Sequence, residues 1–242
     1  MNWEGKRVVV LGGTSGIGLA CAKQAAEAGA EVWSGGRSQD RRQHAAASLG
    51  DLGNSIHWVE ADVQDPEGLA RLCAEAAPID ALILAATGTE RAVGPFMKMA
   101  MEGFQRSFGK LWGYANGVQA GLPHMSEDGA IVMVGGAVAR KCPPGMIAIS
   151  SVGNAVEGFC RALAAEIAPR RVNVVAPGLI NTGMFDTVSM EQRQVMFDQA
   201  AGNILLGRVG EPEEVAAMIL AVASNHYMTG TTVDVEGGSL IP

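Results

Sequence analysis

The stretch Arg7-Val8-Val9-Val10-Leu11-Gly12-Gly13-Thr14-Ser15-Gly16-Ile17-Gly18 decides how this chain is read. Arg7–Leu11 is a short β-branched run that stops at a cluster of glycines, and an Ala-rich amphipathic stretch, residues 17–28, follows at once. Gly12, Gly16 and Gly18 permit a tight turn, a close backbone approach to a pyrophosphate and close packing of the following helix on the sheet. A helix starting near Ile17 points its unpaired N–H groups and the positive end of its dipole at any anion held by the loop. Glycines alone would be compatible with a flexible turn that holds nothing. Their place after the first strand and before a helix argues for a ligand, with Thr14 and Ser15 inside the same cradle.

The alternation continues outward from this unit. Short strand-like runs at 31–34, 56–60, 81–85, 130–134, 172–176 and 231–235 are separated by helical stretches at 40–49, 66–76, within 99–125, near 147–168 and at 212–223. Strands alternating with helices require right-handed crossovers and a parallel sheet covered on both faces. The expectation is an α/β protein with a Rossmann-type doubly wound seven-stranded parallel sheet in three α/β/α layers, residues 1–242 forming one domain. Ligands of such sheets bind beyond the carboxyl ends of the strands, where the strand order reverses. Residues 181–207 are the longest stretch without a strand. Met184, Phe185, Met190, Met196 and Phe197 supply apolar anchors there, so the segment reads as a helical substrate flap.

Composition narrows the partners. The formal net charge of −7 argues against nucleic acid or an anionic membrane surface and leaves a small-molecule substrate. Cys21, Cys73, Cys142 and Cys160 have neither zinc-site spacing nor the density of a disulfide scaffold, so no metal is expected and the thiols read as reduced. A strand beginning at Arg7 leaves no room for a signal peptide, and no apolar run reaches about 18 residues. A cytoplasmic protein is the expectation.

The glycine loop resembles the Thr-Gly-x-x-x-Gly-x-Gly element of the short-chain dehydrogenase/reductase family, with Leu11 in place of the threonine. Further matches follow in order along nearly the whole chain: Asp62-Val63, Pro177-Gly178-Leu179-Ile180-Asn181-Thr182, Gly207-Arg208, Glu211-Pro212-Glu213-Glu214-Val215-Ala216, and Thr229 through Gly238. The resemblance implies that Asp62 and Val63 meet an adenine, that Ala85 and Ala86 at the end of the fourth strand line the cofactor, and that Ile180 and Thr182, with Pro177 and Gly178, form the nicotinamide loop. At the end of the second strand, Ser34-Gly35-Gly36-Arg37-Ser38 lacks the acidic residue that grips a free ribose 2′-hydroxyl. Arg37 offers instead a fixed cation and a planar fork for a 2′-phosphate, with Ser38 as a second donor and Arg41 or Arg42 one turn on. NADP(H) is favoured over NAD(H).

The family reduces carbonyls with a tyrosine that donates the proton, a lysine four residues later on the same helical face, and a serine that polarises the oxygen. Aligned without a gap through Ala155 to Leu163, this chain puts Ile149 at the tyrosine, Gly153 at the lysine and Gly136 at the serine. The usual Asn-Asn-Ala-Gly is replaced by Leu84-Ala85-Ala86-Thr87-Gly88. The segment Lys110-Leu111-Trp112-Gly113 stands where an active-site asparagine is expected, which resembles a divergent branch lacking the usual catalytic residues. Lys110 is therefore the ionisable group expected to point into the pocket, as a proton donor, as an anchor for an acidic substrate or cofactor ribose, or as a structural lysine bonding backbone carbonyls. Tyr114 reads as a packing residue, Ser150 and Ser151 as helix-turn residues, and His124 as a helix end.

Three functions remain open: an NADP(H)-dependent oxidoreductase of a carbonyl or alcohol with a non-standard proton route, a catalytically inactive dinucleotide-binding protein, or a lyase, isomerase or cyclase on the same fold. The resemblance also implies a homodimer or homotetramer paired through the helices within 99–125 and near 147–168, where Gly153, Ala155, Gly158 and Ala162 would permit close packing.

Overall fold

The computed structural model describes residues 3–88, 91–183 and 188–241. Seven strands, β1 (Arg7–Leu11), β2 (Glu31–Gly36), β3 (Ile56–Glu60), β4 (Ile79–Leu84), β5 (Met125–Val134), β6 (Arg171–Pro177) and β7 (Thr232–Val235), form one sheet in the order β3-β2-β1-β4-β5-β6-β7. Every pair is parallel. The chain winds outward from β1 through β2 to β3, then returns to β4 on the other side of β1. The strand order thus reverses between β1 and β4, and the carboxyl ends of these two strands open a crevice.

The strands show why the sheet is covered twice. Successive side chains point to opposite faces. Val8, Val10, Ala81, Ile83 and Val132 therefore belong to a core that also holds Ala20 and Cys21 of α1 (Gly16–Glu27) and Val215 and Ile219 of α9 (Pro212–Ser224). Val9, Leu11, Leu82, Leu84 and Ile131 belong to the opposite core. There they meet Leu69 and Leu72 of α3 (Pro66–Glu75), Tyr114 and Val118 of α5 (Gly109–Gly121), and Val156 and Leu163 of α7 (Ile147–Ile167). Each fully buried aliphatic side chain contributes about 1.5–3 kcal/mol, so near-total burial on both faces makes this three-layer Rossmann-type arrangement cohesive. Helix α2 (Gln39–Ser48) buries only Ala45 and starts at Ser38, whose hydroxyl accepts from Arg41 N.

Several elements differ from the expectation in ways that matter for the site. β2 runs to Gly36 rather than stopping at Ser34, so Arg37 is the first residue beyond it. β5 begins five residues early, at Met125, paired to Ile79 across a register irregularity. The single helix expected within 99–125 is two, α4 (Met101–Ser107) and α5, because Phe108 turns toward ψ −5° and ends the first. Gly153 on α7 faces the short helix α6 (Val138–Lys141): a Cβ there would lie 2.8 Å from that of Ala139. Within the chain it is thus a packing contact between α6 and α7. The segment 181–207 holds a helix, α8 (Met190–Ala201), with a capping box at Ser189 and Gln192 but no buried residue. Met190 is 87% exposed rather than a buried anchor, while Met184 and Phe185 lie outside the described residues. Among the described residues no helix is long and apolar enough to cross a membrane.

The edge that carries β7 depends on one fully buried amide. Asn173 Nδ2 donates to Met228 O at 2.8 Å, and its Oδ1 accepts from Thr231 N at 3.2 Å. Asn173→Ala removes both bonds and leaves two backbone groups without partners, each costing about 1–3 kcal/mol when buried. Urea unfolding of this variant is expected to show a loss of about 2–6 kcal/mol.

Candidate active site

The crevice between β1 and β4 is built from backbone. Gly12 adopts φ +88°, and a Cβ on it would lie 2.6 Å from Ala86 N. A Cβ on Gly18 would lie 2.2 Å from Gly12 O. Only glycine fits at either position, so the loop closes tightly under the start of α1. Ser15 precedes that helix in extended conformation, and its side chain makes no capping bond. The first N–H groups of α1, on Gly16, Ile17 and Gly18, have no acceptor within the helix and remain for an anion. Thr14 lies against Gly36, and the Thr182 methyl lies against Gly16, at 3.2 Å from where a Cβ would stand. Ala85 N donates to Leu11 O at 2.9 Å, binding the fourth strand's end to the loop. The residues expected at 12–18, 85–86 and 177–182 are thus gathered at one end of the sheet.

The cradle extends along the neighbouring strand ends. Arg37 and Ser38 follow β2 and are exposed, while Asp62 and Val63 follow β3 and are half-buried. Asp62 Oδ1 accepts from Gln64 N at 2.9 Å, which fixes the turn. Val63 O accepts from Asn116 Nδ2 at 2.9 Å, and Val63 packs against Gly113. Arg42 is not free to share an anion with Arg37: its guanidinium donates to Gly36 O at 2.6 Å and to Arg37 O at 3.1 Å and faces Glu60 at 3.5 Å. It braces the strand end from which Arg37 projects.

Adjoining the cradle is a cavity of about 810 Å³ that shares Ile17, Pro177, Gly178, Ile180 and Thr182 with it. Gly136, Ile149 and Gly153, the positions set against the family's serine, tyrosine and lysine, all line it. Most of the wall is apolar, with Met146, Val152, Leu179, Met196 and Ile204 prominent. Lys110 reaches it from α5, and its Nζ donates to Gly135 O at 3.1 Å while lying 5.5 Å from the centre of the Tyr114 ring. Burial pushes the Lys110 ammonium down to about 7, with the nearby charge of Arg91 acting in the same direction. Lys110 therefore both bonds a backbone carbonyl and lines the cavity, two roles the sequence left as alternatives.

The remaining candidates separate by position. Tyr114 is buried, its Oη donates to Val134 O at 3.0 Å, and burial raises its phenol pKa. Ser150 donates to Val138 O at 2.9 Å inside the α6–α7 packing. His124 ends a 3-10 turn at the amino end of β5, the end remote from the cavity. Lys110 is not alone among charges. Arg91 and Lys141 line the same cavity and were missed, because one sits in a loop and the other ends the four-residue helix α6, too short to show a periodic pattern. The available signal was their place after β4 and β5, where this topology puts its ligands.

The family model described as enoyl-(acyl carrier protein) reductase matches residues 12–239. The chain is 33% identical to the 3-oxoacyl-[acyl-carrier-protein] reductase FabG of Aquifex aeolicus over 97% of each chain. Among solved structures it is similar to the NADPH-bound short chain oxidoreductase of Pseudomonas aeruginosa described as containing an atypical catalytic center, at TM-score 0.88 and 31% identity over 97% of this chain and 98% of that one. It is also similar to the MalC reductase/Diels-Alderase of Malbranchea aurantiaca, at TM-score 0.90 and 25% identity over 99% and 98%.

If Tyr114 only packs and bonds Val134 O, Tyr114→Phe is expected to lower unfolding free energy by about 1–2 kcal/mol. The pH dependence of any turnover should be unchanged. Denaturant titration and a pH–rate profile check the two halves.

Proposed function

The chain belongs to the short-chain dehydrogenase/reductase family, and from that premise we propose that it is an NADP(H)-dependent oxidoreductase of a carbonyl or alcohol whose proton is carried by Lys110. The observation that carries this reading is the shared wall: the cavity into which Lys110 reaches is lined by Ile17 of the phosphate loop and by Ile180 and Thr182. The residues present fit a dinucleotide. The Gly12–Ala86 approach leaves a backbone-lined groove that a Cβ would fill, and the uncapped start of α1 faces it. Gly12, Thr14, Ser15, Gly16, Ile17 and Gly18 would hold the pyrophosphate, Asp62 and Val63 the adenine, and Ala85, Ala86, Pro177, Gly178, Ile180 and Thr182 the nicotinamide half. Arg37 and Ser38, at the start of α2, would receive a 2′-phosphate.

The chemistry that a nicotinamide dinucleotide supplies is hydride transfer. The protein's own task is then to orient the substrate and to manage one proton. Ile149, Gly153 and Gly136 offer no titratable group where the family's tyrosine, lysine and serine are expected. Lys110 Nζ, anchored at Gly135 O, is available to donate a proton to the substrate oxygen during reduction and to accept one during oxidation. With the group at about 7, both forms are populated near neutrality, the condition that favours general acid–base work. Arg193, which donates to Thr182 O at 3.3 Å and to Asn181 Oδ1, ties α8 to the nicotinamide loop, so the flap helix sets the position of that loop.

A second reading, a non-redox enzyme such as a cyclase, is favoured by the apolar wall around Ile149 and Met146 and by the similarity to a protein described as a reductase/Diels-Alderase. An inactive dinucleotide-binding protein is the outcome if NADPH binds and no carbonyl in a broad panel is turned over.

Two measurements test the leading reading. Because Lys110 is protonated below about 7, kcat/KM for reduction is expected to be level at acid pH and to fall about tenfold per pH unit above 7. Oxidation should show the mirror-image rise. Lys110→Met should remove the limb and lower the reduction rate at pH 6 by about 10²–10⁴-fold; an unchanged profile would exclude the assigned role. For the cofactor, Arg37→Ser is expected to weaken NADPH by about tenfold or more and leave NADH unaffected, read by fluorescence titration.

A further inference from the structure

Among the described residues Gly135, Gly136, Gly153 and Gly178 line the cavity, and close packing dictates all of them but one. A Cβ on Gly135 would lie 2.7 Å from Val174 Cγ1, on Gly153 2.8 Å from Ala139 Cβ, and on Gly178 2.9 Å from Glu236 Cα. Contacts that short force the surroundings to move. Gly136 is different. Among the described residues a Cβ there would meet Val138 Cγ1 alone, at the ordinary contact distance of 3.7 Å. Its φ also lies outside the left-handed region that favours glycine. Mobility does not explain the glycine either, because the peptides on both sides are held. Gly135 N donates to Val175 O at 2.7 Å, Ala137 N donates to Pro177 O at 2.8 Å, and Gly136 O accepts from Ala139 N at 3.0 Å. What glycine adds at 136 is room in the cavity.

The place of that room indicates what it receives. Lys110 Nζ donates to Gly135 O at 3.1 Å, so position 136 is one residue from the carbonyl that anchors the proton-carrying group. A substrate oxygen taking its proton from Lys110 therefore brings the neighbouring carbon to the side of Gly136. Val138, Ile149 and Val152 give the same cavity an apolar wall, against which a hydrocarbon branch gains burial and dispersion contacts. We propose that Gly136 sets substrate specificity: the space beside it receives an apolar branch or ring borne next to the reacting carbonyl, so that the protein takes hindered ketones or the matching secondary alcohols. The proposal rests on the reading of this cavity as the place of the reacting carbonyl. A side chain at 136 would occupy the volume of that branch and leave an unbranched ketone free to lie elsewhere along the wall.

Gly136→Ala and Gly136→Val fill the space in two steps. Calorimetric titration with camphor and with 2-decanone, ketones of equal carbon count, reads the result with saturating NADP⁺ and without it. Camphor is rigid and fully branched beside its carbonyl, whereas 2-decanone is unbranched. Gly136→Ala should weaken camphor severalfold and Gly136→Val at least about tenfold, the scale on which an apolar pocket discriminates a methylene or two, while 2-decanone changes by less than about twofold. Melting temperature separates this role from a packing one. Gly136→Ala should leave it unchanged or raised, as glycine replacement does where the backbone suits alanine, and Gly153→Ala should lower it. A lowered melting temperature for Gly136→Ala, no binding of camphor by the wild-type protein, or equal effects on both ketones would overturn the proposal. If NADP⁺ fails to bind but the variants still discriminate against camphor, the cofactor reading falls and the role of Gly136 stands; if NADP⁺ binds and the variants do not discriminate, only the role of Gly136 falls.

Discussion

Two backbones pass each other at the carboxyl ends of β1 and β4 with no side chain between them, and the rest of the site depends on that approach. The contact of Gly12 with Ala86 exists because β4 returns beside β1. The reversal splits the helices to two faces and leaves the crevice uncovered. Because the helix after β1 must start within the width of the loop, Gly18 meets Gly12 O and aims the first N–H groups of α1 into the opening. Cradle and cavity then share a wall, so whatever is held at one is presented to the other.

What could be read from the residues follows from which signals are periodic. The strand cores were legible because β-branched residues buried on both faces form unbroken runs such as Val8 to Leu11. Strand ends were not. Met125-Ser126-Glu127-Asp128-Gly129 has no strand pattern and is extended because β4 offers Ile79 as a partner. The break at Phe108 was invisible for the converse reason, since helical periodicity persists across a single residue whose ψ is near zero. The glycine cluster was legible because glycine and turn chemistry are local, whereas Arg91, in a loop, and Lys141, at the end of α6, come to one cavity only through the fold.

Arg37 and Arg42 show that residue type alone does not assign a role. Both lie beyond β2, and either matches a phosphate chemically. Arg42, one turn into α2, reaches back to the carbonyls of Gly36 and Arg37 and is consumed in holding the strand end. Arg37 points outward from the end so fixed. Lys110 shows the converse, since one group has two roles: its bond to Gly135 O sets where the nitrogen sits, and its dry surroundings set how readily it gives up a proton.

The contact between Gly153 and Ala139 limits what position 153 can carry. Arg140 ties α6 to Glu157 on α7 and to Asp234 on β7, so α6 cannot retreat without disturbing both. At position 153, set by the sequence against the family's lysine, a Cβ would lie 2.8 Å from that of Ala139 on α6. A side chain introduced at 153 would therefore press on α6 at its first carbon, although 149 and 153 both line the open cavity.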